Sequence, residues 1–70
     1  METRRDRFIR IATKRTNEVL EKIRVLANCS NKSSYEYTES EVNKIFSEID
    51  KAAKNAKAKF RISIKKEFKL

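Results

Sequence analysis

One stretch decides the fold of this 70-residue chain: Tyr35-Glu36-Tyr37-Thr38-Glu39-Ser40-Glu41-Val42. Thr38 precedes Glu41 by three residues, the spacing of a capping box in which each side chain accepts a hydrogen bond from the other residue's backbone N–H. Tyr37 and Val42 have the spacing of a hydrophobic staple. Glu39 and Glu41 place negative charge in the first turn, where the helix dipole favours it. The stretch therefore predicts a helix that begins just after Thr38.

The composition favours long helices and offers no catalytic or metal-binding group of residues. The sequence has no glycine, proline or histidine and a single cysteine, Cys29. Without glycine and proline, the common breaks between strands and the common tight turns are missing. A lone cysteine cannot form an intramolecular disulfide, and without histidine it makes neither a zinc site nor a pair with a general base. We therefore expect an all-α, non-enzymatic protein with no catalytic residues, cofactor or bound metal.

The hydropathy pattern is typical of a cytoplasmic protein. No stretch approaches the roughly 18 apolar residues that span a bilayer, and residues 1–5 lead into no apolar signal core. An unpaired Cys29 fits a reducing compartment. We expect no membrane partner.

Two amphipathic helices are predicted, at about residues 3–28 and 38–60. In each, the apolar residues recur at steps of three and four and so lie on one face, called here the apolar stripe. The stripe of the first helix consists of Phe8, Ile9, Ala12, Val19, Leu20, Ile23, Leu26 and Ala27. The stripe of the second consists of Val42, Ile45, Phe46, Ile49, Ala52, Ala53, Ala56 and Phe60. Ile11 and Val25 lie off the first stripe, either as exposed hydrophobic residues or as a second contact surface.

The segment between the helices is rich in asparagine and serine. Asparagine tolerates the left-handed conformation that ends many helices, and both side chains compete with the helix for backbone groups. A loop of roughly ten residues allows the second helix to fold back on the first. The predicted architecture is an antiparallel helical hairpin, residues 1–60, followed by a basic tail, residues 61–70.

The tail fits more than one conformation. Apolar and polar residues alternate from 60 to 64, which is the period of a β-strand. Phe60, Ile64 and Phe68 also fit a helical stripe with a spacing of four. A short strand, a continued helix and an extended arm therefore stay open. A strand would allow addition to the sheet edge of a partner, and a frayed basic terminus is the simpler alternative.

Positive charge concentrates at the two ends of the sequence. Residues 1–15 hold six basic and two acidic side chains, a net charge of +4. Residues 16–50 hold four basic and seven acidic side chains, a net charge of −3. Residues 51–70 hold eight basic side chains and one acidic side chain, a net charge of +7. In an antiparallel hairpin the two basic segments would meet at one end.

This basic end is the candidate binding site. Arginines in the first turn of a helix oppose its dipole, so helix stability does not explain them, whereas the arginine fork suits phosphate. The lysines equally suit a solvated helix face. The candidate residues for binding nucleic acid or another acidic partner are Arg4, Arg5, Arg7, Arg10, Lys14, Arg15, Lys54, Lys57, Lys59, Arg61, Lys65 and Lys66.

Three local motifs run along the chain. They are the run Lys14-Arg15-Thr16, an Asn-x-Ser-Asn-x-Ser-x-Tyr loop at residues 28–35, and the ending Phe68-Lys69-Leu70. In these motifs the chain resembles a group of short basic helical proteins encoded on mobile elements of low-GC bacteria, namely plasmids, integrative elements and phages. The resemblance covers most of the chain. It implies a mobile-element context and brings no activity or binding residues with it.

Three functional hypotheses follow. The first is a binding protein that holds the backbone of DNA or RNA, alone or in a nucleoprotein, largely without reading the sequence of bases. The second is a mobile-element-encoded inhibitor or regulator of a host defence complex, anti-CRISPR-like, which acts by protein–protein contact. The third is a homodimer in which two hairpins bury their apolar stripes as a four-helix bundle.

Overall fold

The structure is a computed structural model, and it describes residues 1–64. It contains two α-helices, α1 (Arg4–Ala27) and α2 (Glu39–Ile64), with a 3-10 turn (Asn28–Ser30) directly after α1. No strand occurs in this part of the chain. The predicted all-α class is confirmed, and each helix begins within one residue of its predicted start. The chain divides into two units, one with α1 (Met1–Glu36) and one with α2 (Tyr37–Leu70).

Helix α1 begins with a capping box that the sequence interpretation missed. The backbone N–H of Asp6 donates to Oγ1 of Thr3 at 3.0 Å, and the backbone N–H of Thr3 donates to Oδ2 of Asp6 at 3.3 Å. Asp6 occupies the third helical position, where the motif usually has glutamate or glutamine. Its carboxylate is the acid of the first turn and faces the positive end of the helix dipole. The arginine-rich start of α1 is therefore a well-formed helix end.

Helix α1 ends at Ala27, next to the predicted end at residue 28. Asn28 has φ −64° and ψ −22°, a right-handed conformation, and none of residues 1–64 has a positive φ. Asn28 therefore does not adopt the left-handed conformation that asparagine tolerates, and the chain tightens into the 3-10 turn instead. Asn31 then forms an Asx turn, its Oδ1 accepting from the backbone N–H of Ser33 at 3.1 Å and from Oγ of Ser33 at 2.6 Å.

Helix α2 begins as predicted. The backbone N–H of Glu41 donates to Oγ1 of Thr38 at 3.2 Å, and the backbone N–H of Thr38 donates to Oε1 of Glu41 at 2.8 Å. The capping box is confirmed. Tyr37 and Val42, the pair with staple spacing, are both half-buried, whereas most of the described chain is exposed.

Helix α2 continues four residues beyond the predicted end, to Ile64. A strand or an extended arm is therefore wrong for residues 61–64. No glycine or proline stands after Phe60 to stop the helix, the spacing of Phe60 and Ile64 keeps both on the apolar stripe, and Arg61 suits the negative end of the dipole. The rest of the predicted tail, residues 65–70, lies outside the described residues.

The apolar stripes of both helices are largely accessible to solvent. None of residues 1–64 is buried. On α2, Ile45, Phe46 and Phe60 are 42%, 44% and 55% exposed. Amphipathic helices gain most of their stability when such a face is covered, so neither helix carries its own core.

Ile11 and Val25 behave differently from each other. Val25 is exposed, as expected for a residue off the stripe, whereas Ile11 is half-buried. Arg7, Lys14 and Arg15 lie one turn from Ile11, and the aliphatic stems of such residues cover apolar surface. Neither of the helices in residues 1–64 is long and apolar enough to cross a membrane.

Candidate nucleic-acid interface

The basic residues predicted near the N-terminus lie in the first turns of α1, and all of them are exposed. With a step of about 100° per residue, Arg4, Arg7, Lys14 and Arg15 share one side of the helix. Arg5 lies on the side of the apolar stripe, one turn before Phe8 and Ile9. The five cations thus lie along about 17 Å of the helix, at a rise of about 1.5 Å per residue.

Arg10 is set apart from this group by an ion pair. Its Nε and Nη2 donate to the two carboxylate oxygens of Glu2 at 2.7 and 3.1 Å, a bidentate arrangement. This side-chain hydrogen bonding raises the pKa of Arg10, against a weaker opposing effect of burial. The Nε and Nη2 edge of the guanidinium is occupied and its charge is partly neutralised, although the pair stays open to solvent with side chains 62% and 40% exposed.

The pairing of Arg10 was not predictable from the usual helical spacings. Glu2 lies eight residues before Arg10 and precedes the helix, so it escapes the three- and four-residue spacings that bring helical side chains together. The acid reaches Arg10 because the capping box at Thr3 and Asp6 fixes how the chain enters α1. The structure therefore divides the six predicted cations of residues 1–15 into one paired arginine and five others.

Those five cations have no counterion within the part of the chain that the structure describes. No ion pair in residues 1–64 involves the five residues Arg4, Arg5, Arg7, Lys14 and Arg15. The first turn holds one acid, Asp6, whose carboxylate already serves the capping box. The start of α1 is thus a concentrated positive surface on a preformed helix end.

A second basic surface occupies the C-terminal half of α2. Lys54, Lys57 and Arg61 share one side of this helix, and Lys59 lies on the other side of the apolar stripe. All four are exposed, and none forms an ion pair with another of residues 1–64. The predicted site residues Lys65 and Lys66 lie outside the described residues.

The second ion pair of α1 lies away from the candidate residues. The guanidinium of Arg24 binds the Glu21 carboxylate through two hydrogen bonds, with Nε to Oε2 at 2.9 Å and Nη2 to Oε1. This hydrogen bonding lowers the pKa of Glu21 and raises the pKa of Arg24. Arg24 therefore forms an ion pair within its own helix, whereas Arg4 and Arg7 form none with residues 1–64.

The described residues offer no second kind of site. Among residues 1–64, no group of three histidine, cysteine, aspartate or glutamate side chains could hold a metal ion. Cys29 is exposed in the 3-10 turn. An open groove of about 560 Å³ runs along α2, lined by Ala52, Asn55, Ala56, Lys59, Phe60 and Ser63. The two positive surfaces are thus the candidate binding surfaces of the described residues.

Comparisons with models of protein families, with curated proteins and with solved structures found no match for this chain.

Proposed function

We propose that this chain is a small, non-enzymatic protein that binds the phosphate backbone of DNA or RNA, alone or within a nucleoprotein. The observation that supports this most directly is the first turn of α1, where Arg4, Arg5 and Arg7 follow one another on a capped helix without an ion pair among residues 1–64. The positive end of the helix dipole lies in the same place. Arginines there repel one another and the dipole, and a polyanion relieves both repulsions.

The capping box supports the proposal through preorganisation. Because Thr3 and Asp6 hold the first turn, the arginine side chains project from a fixed backbone before any partner arrives. Less ordering entropy is then lost on binding. Contacts of this kind position a protein on nucleic acid without reading bases, so binding is expected to depend weakly on sequence.

The antiparallel hairpin is part of the same proposal. It is supported by the loop length and by the apolar stripe on each helix, and it would bring the +4 segment and the +7 segment together. Like charge opposes that arrangement unless an anion is present, so bound nucleic acid would favour the hairpin. The proposed place of action is the cytoplasm, in line with the free thiol of Cys29.

The test is the salt dependence of binding to fluorescent duplex DNA and single-stranded RNA, measured by anisotropy. With about six phosphates neutralised, the slope of log affinity against log salt should be near −5. The double variant Arg4→Gln, Arg7→Gln should make the slope shallower by about 1.8. The matched control Lys22→Gln, Lys44→Gln removes the same charge outside the basic surfaces and should leave the slope unchanged. A wild-type slope near zero would refute the proposal.

The exposed apolar stripes favour a second candidate, the mobile-element-encoded inhibitor of a host defence complex. Helices with an accessible apolar face suit a protein groove. A tagged pull-down from a host-like lysate, divided into nuclease-treated and untreated halves, separates the two functions. A stoichiometric protein that survives nuclease favours the inhibitor. Recovered material that disappears with nuclease favours nucleic-acid binding.

A further inference from the structure

Helix α2 carries opposite charge on its two halves. Residues 39–50 hold four acids and one lysine, a net charge of −3, and residues 51–61 hold five basic side chains and no acid. The ten charged residues are Glu39, Glu41, Lys44, Glu48, Asp50, Lys51, Lys54, Lys57, Lys59 and Arg61. All ten are exposed. The helix is thus a charged rod whose polarity reverses near its middle.

One apolar stripe runs past this reversal without a break. It extends from Val42 to Ile64, about 33 Å at 1.5 Å per residue. Its bulky members stand towards the two ends, and the alanines Ala52, Ala53 and Ala56 occupy the centre. A helix that packs against this stripe can therefore approach closely at the centre, where side chains are small.

We propose that the partner covering this stripe is a second copy of the chain, with α2 packed antiparallel against α2 about a two-fold axis near Ala52 and Ala53. In that arrangement the acidic half of each helix lies along the basic half of the other, and the symmetry repeats the contact. A parallel pair would set five cations beside five cations. The charge pattern thus favours a second copy as the partner and favours the antiparallel over the parallel orientation.

The same axis places a large side chain, Ile49, opposite a small one, Ala56. With Ala52 facing Ala53 of the second copy, Ile49 faces Ala56 and Ile45 faces Phe60. The open groove beside Ala52 and Ala56 is then in position to receive Ile49 of the second copy, as a knob enters a hole. This interface uses the apolar stripe and the lysines of α2, so it is an alternative to the hairpin with bound nucleic acid, and it forms in the absence of nucleic acid.

The first test is sedimentation equilibrium of the full chain after nuclease treatment. The charge-reversing variant Glu48→Lys, Asp50→Lys should weaken self-association about tenfold to thirtyfold, because four attractive contacts become repulsive. Adding Lys54→Glu and Lys57→Glu places acids beside the new lysines of the second copy and should restore association. The control Glu18→Lys, Glu36→Lys changes the charge equally outside α2 and should have no comparable effect.

A wild-type chain that stays monomeric up to about 100 μM would overturn the proposal. A quadruple variant that associates no better than the double variant would also overturn it. Circular dichroism verifies that each variant keeps its helix content, and the rescue shows that a loss is not simple misfolding.

The apolar contact is tested with two isoleucines of the same helix. Ile49 lies half-buried on the stripe, and Ile62 lies off it and is 70% exposed. Ile49→Asn should weaken association at least about tenfold, and Ile62→Asn should leave it within about twofold. Equal effects of the two substitutions would contradict the assigned face.

The direction is tested with spin labels on a Cys29→Ser background. In the antiparallel dimer, labels at Ser40→Cys lie about 36 Å apart in the direction of the helices. Each label is about twelve residues from the point where the two-fold axis passes the helix. Labels at Lys51→Cys lie close to the two-fold axis and are therefore hardly separated in the direction of the helices. A parallel pair would give the same short distance at both positions and would refute the antiparallel arrangement.

Discussion

Replacing Glu2 with glutamine is expected to release Arg10 for phosphate. In the structure both Nε and Nη2 of Arg10 donate to the Glu2 carboxylate, so we expect this arginine to contribute little to the proposed nucleic-acid binding in the wild type. Each additional phosphate contact steepens the slope of log affinity against log salt by about 0.9. Between 50 and 200 mM salt, the Glu2→Gln variant should therefore lose about 3.5-fold more affinity than the wild type.

The assay is the anisotropy titration on duplex DNA, carried out as a double-mutant cycle. Arg10→Gln should leave the slope nearly unchanged in the wild-type background and lower its magnitude by about 0.9 in the Glu2→Gln background. Glu21→Gln is the matched control, because it also removes an acid from a bidentate arginine pair, but at a distance from the first turns. The reasoning is refuted if Arg10→Gln lowers the wild-type slope as much as Arg7→Gln does.

Three further predictions concern the helices. Thr38→Ala should lower the free energy of unfolding of α2 by about 1 kcal/mol through loss of the cap, and Ser40→Ala should change it by less than about 0.5 kcal/mol; thermal melts followed by circular dichroism compare them. Thr3→Ala should reduce amide-exchange protection in the first turn of α1, and unchanged protection would count against the capping box. Arg24 lowers the pKa of Glu21, so this pair stabilises α1 above the ordinary carboxyl pKa and loses that contribution as pH falls through the lowered value. An NMR titration in which Glu21 titrates at its ordinary pKa would contradict the pairing.

The start of α2 could be predicted from the sequence and its end could not. The signals at Thr38 and Glu41 are local, since the capping box involves residues three apart, and the structure confirms them. The end depends on a stop signal, and the sequence after Phe60 has none. Alternation over five residues was too short to indicate a strand against the helical spacing of Phe60 and Ile64.

The basic surfaces could be predicted as sets of residues but not as sets of available charges. The arginines of the first turns could be recognised in the sequence, whereas the roles of Glu2 and Asp6 beside them appear only in the structure. The three-residue spacing of Thr3 and Asp6 is present in the sequence. It is hard to recognise as a capping box because the third helical position holds aspartate, whereas the motif usually has glutamate or glutamine there. The pairing of Glu2 with Arg10 depends on how the chain enters the helix, which residue spacing alone does not determine.

The two capping boxes have a consequence for how the chain can be handled and how it can evolve. Each helix has its starting point encoded in four neighbouring residues, Thr3 to Asp6 and Thr38 to Glu41. A segment that includes its box can therefore be transplanted into another chain and keep the angular phase of its side chains. Recombination that exchanges such segments would pass on a positive surface already facing the correct way, without a compensating change elsewhere.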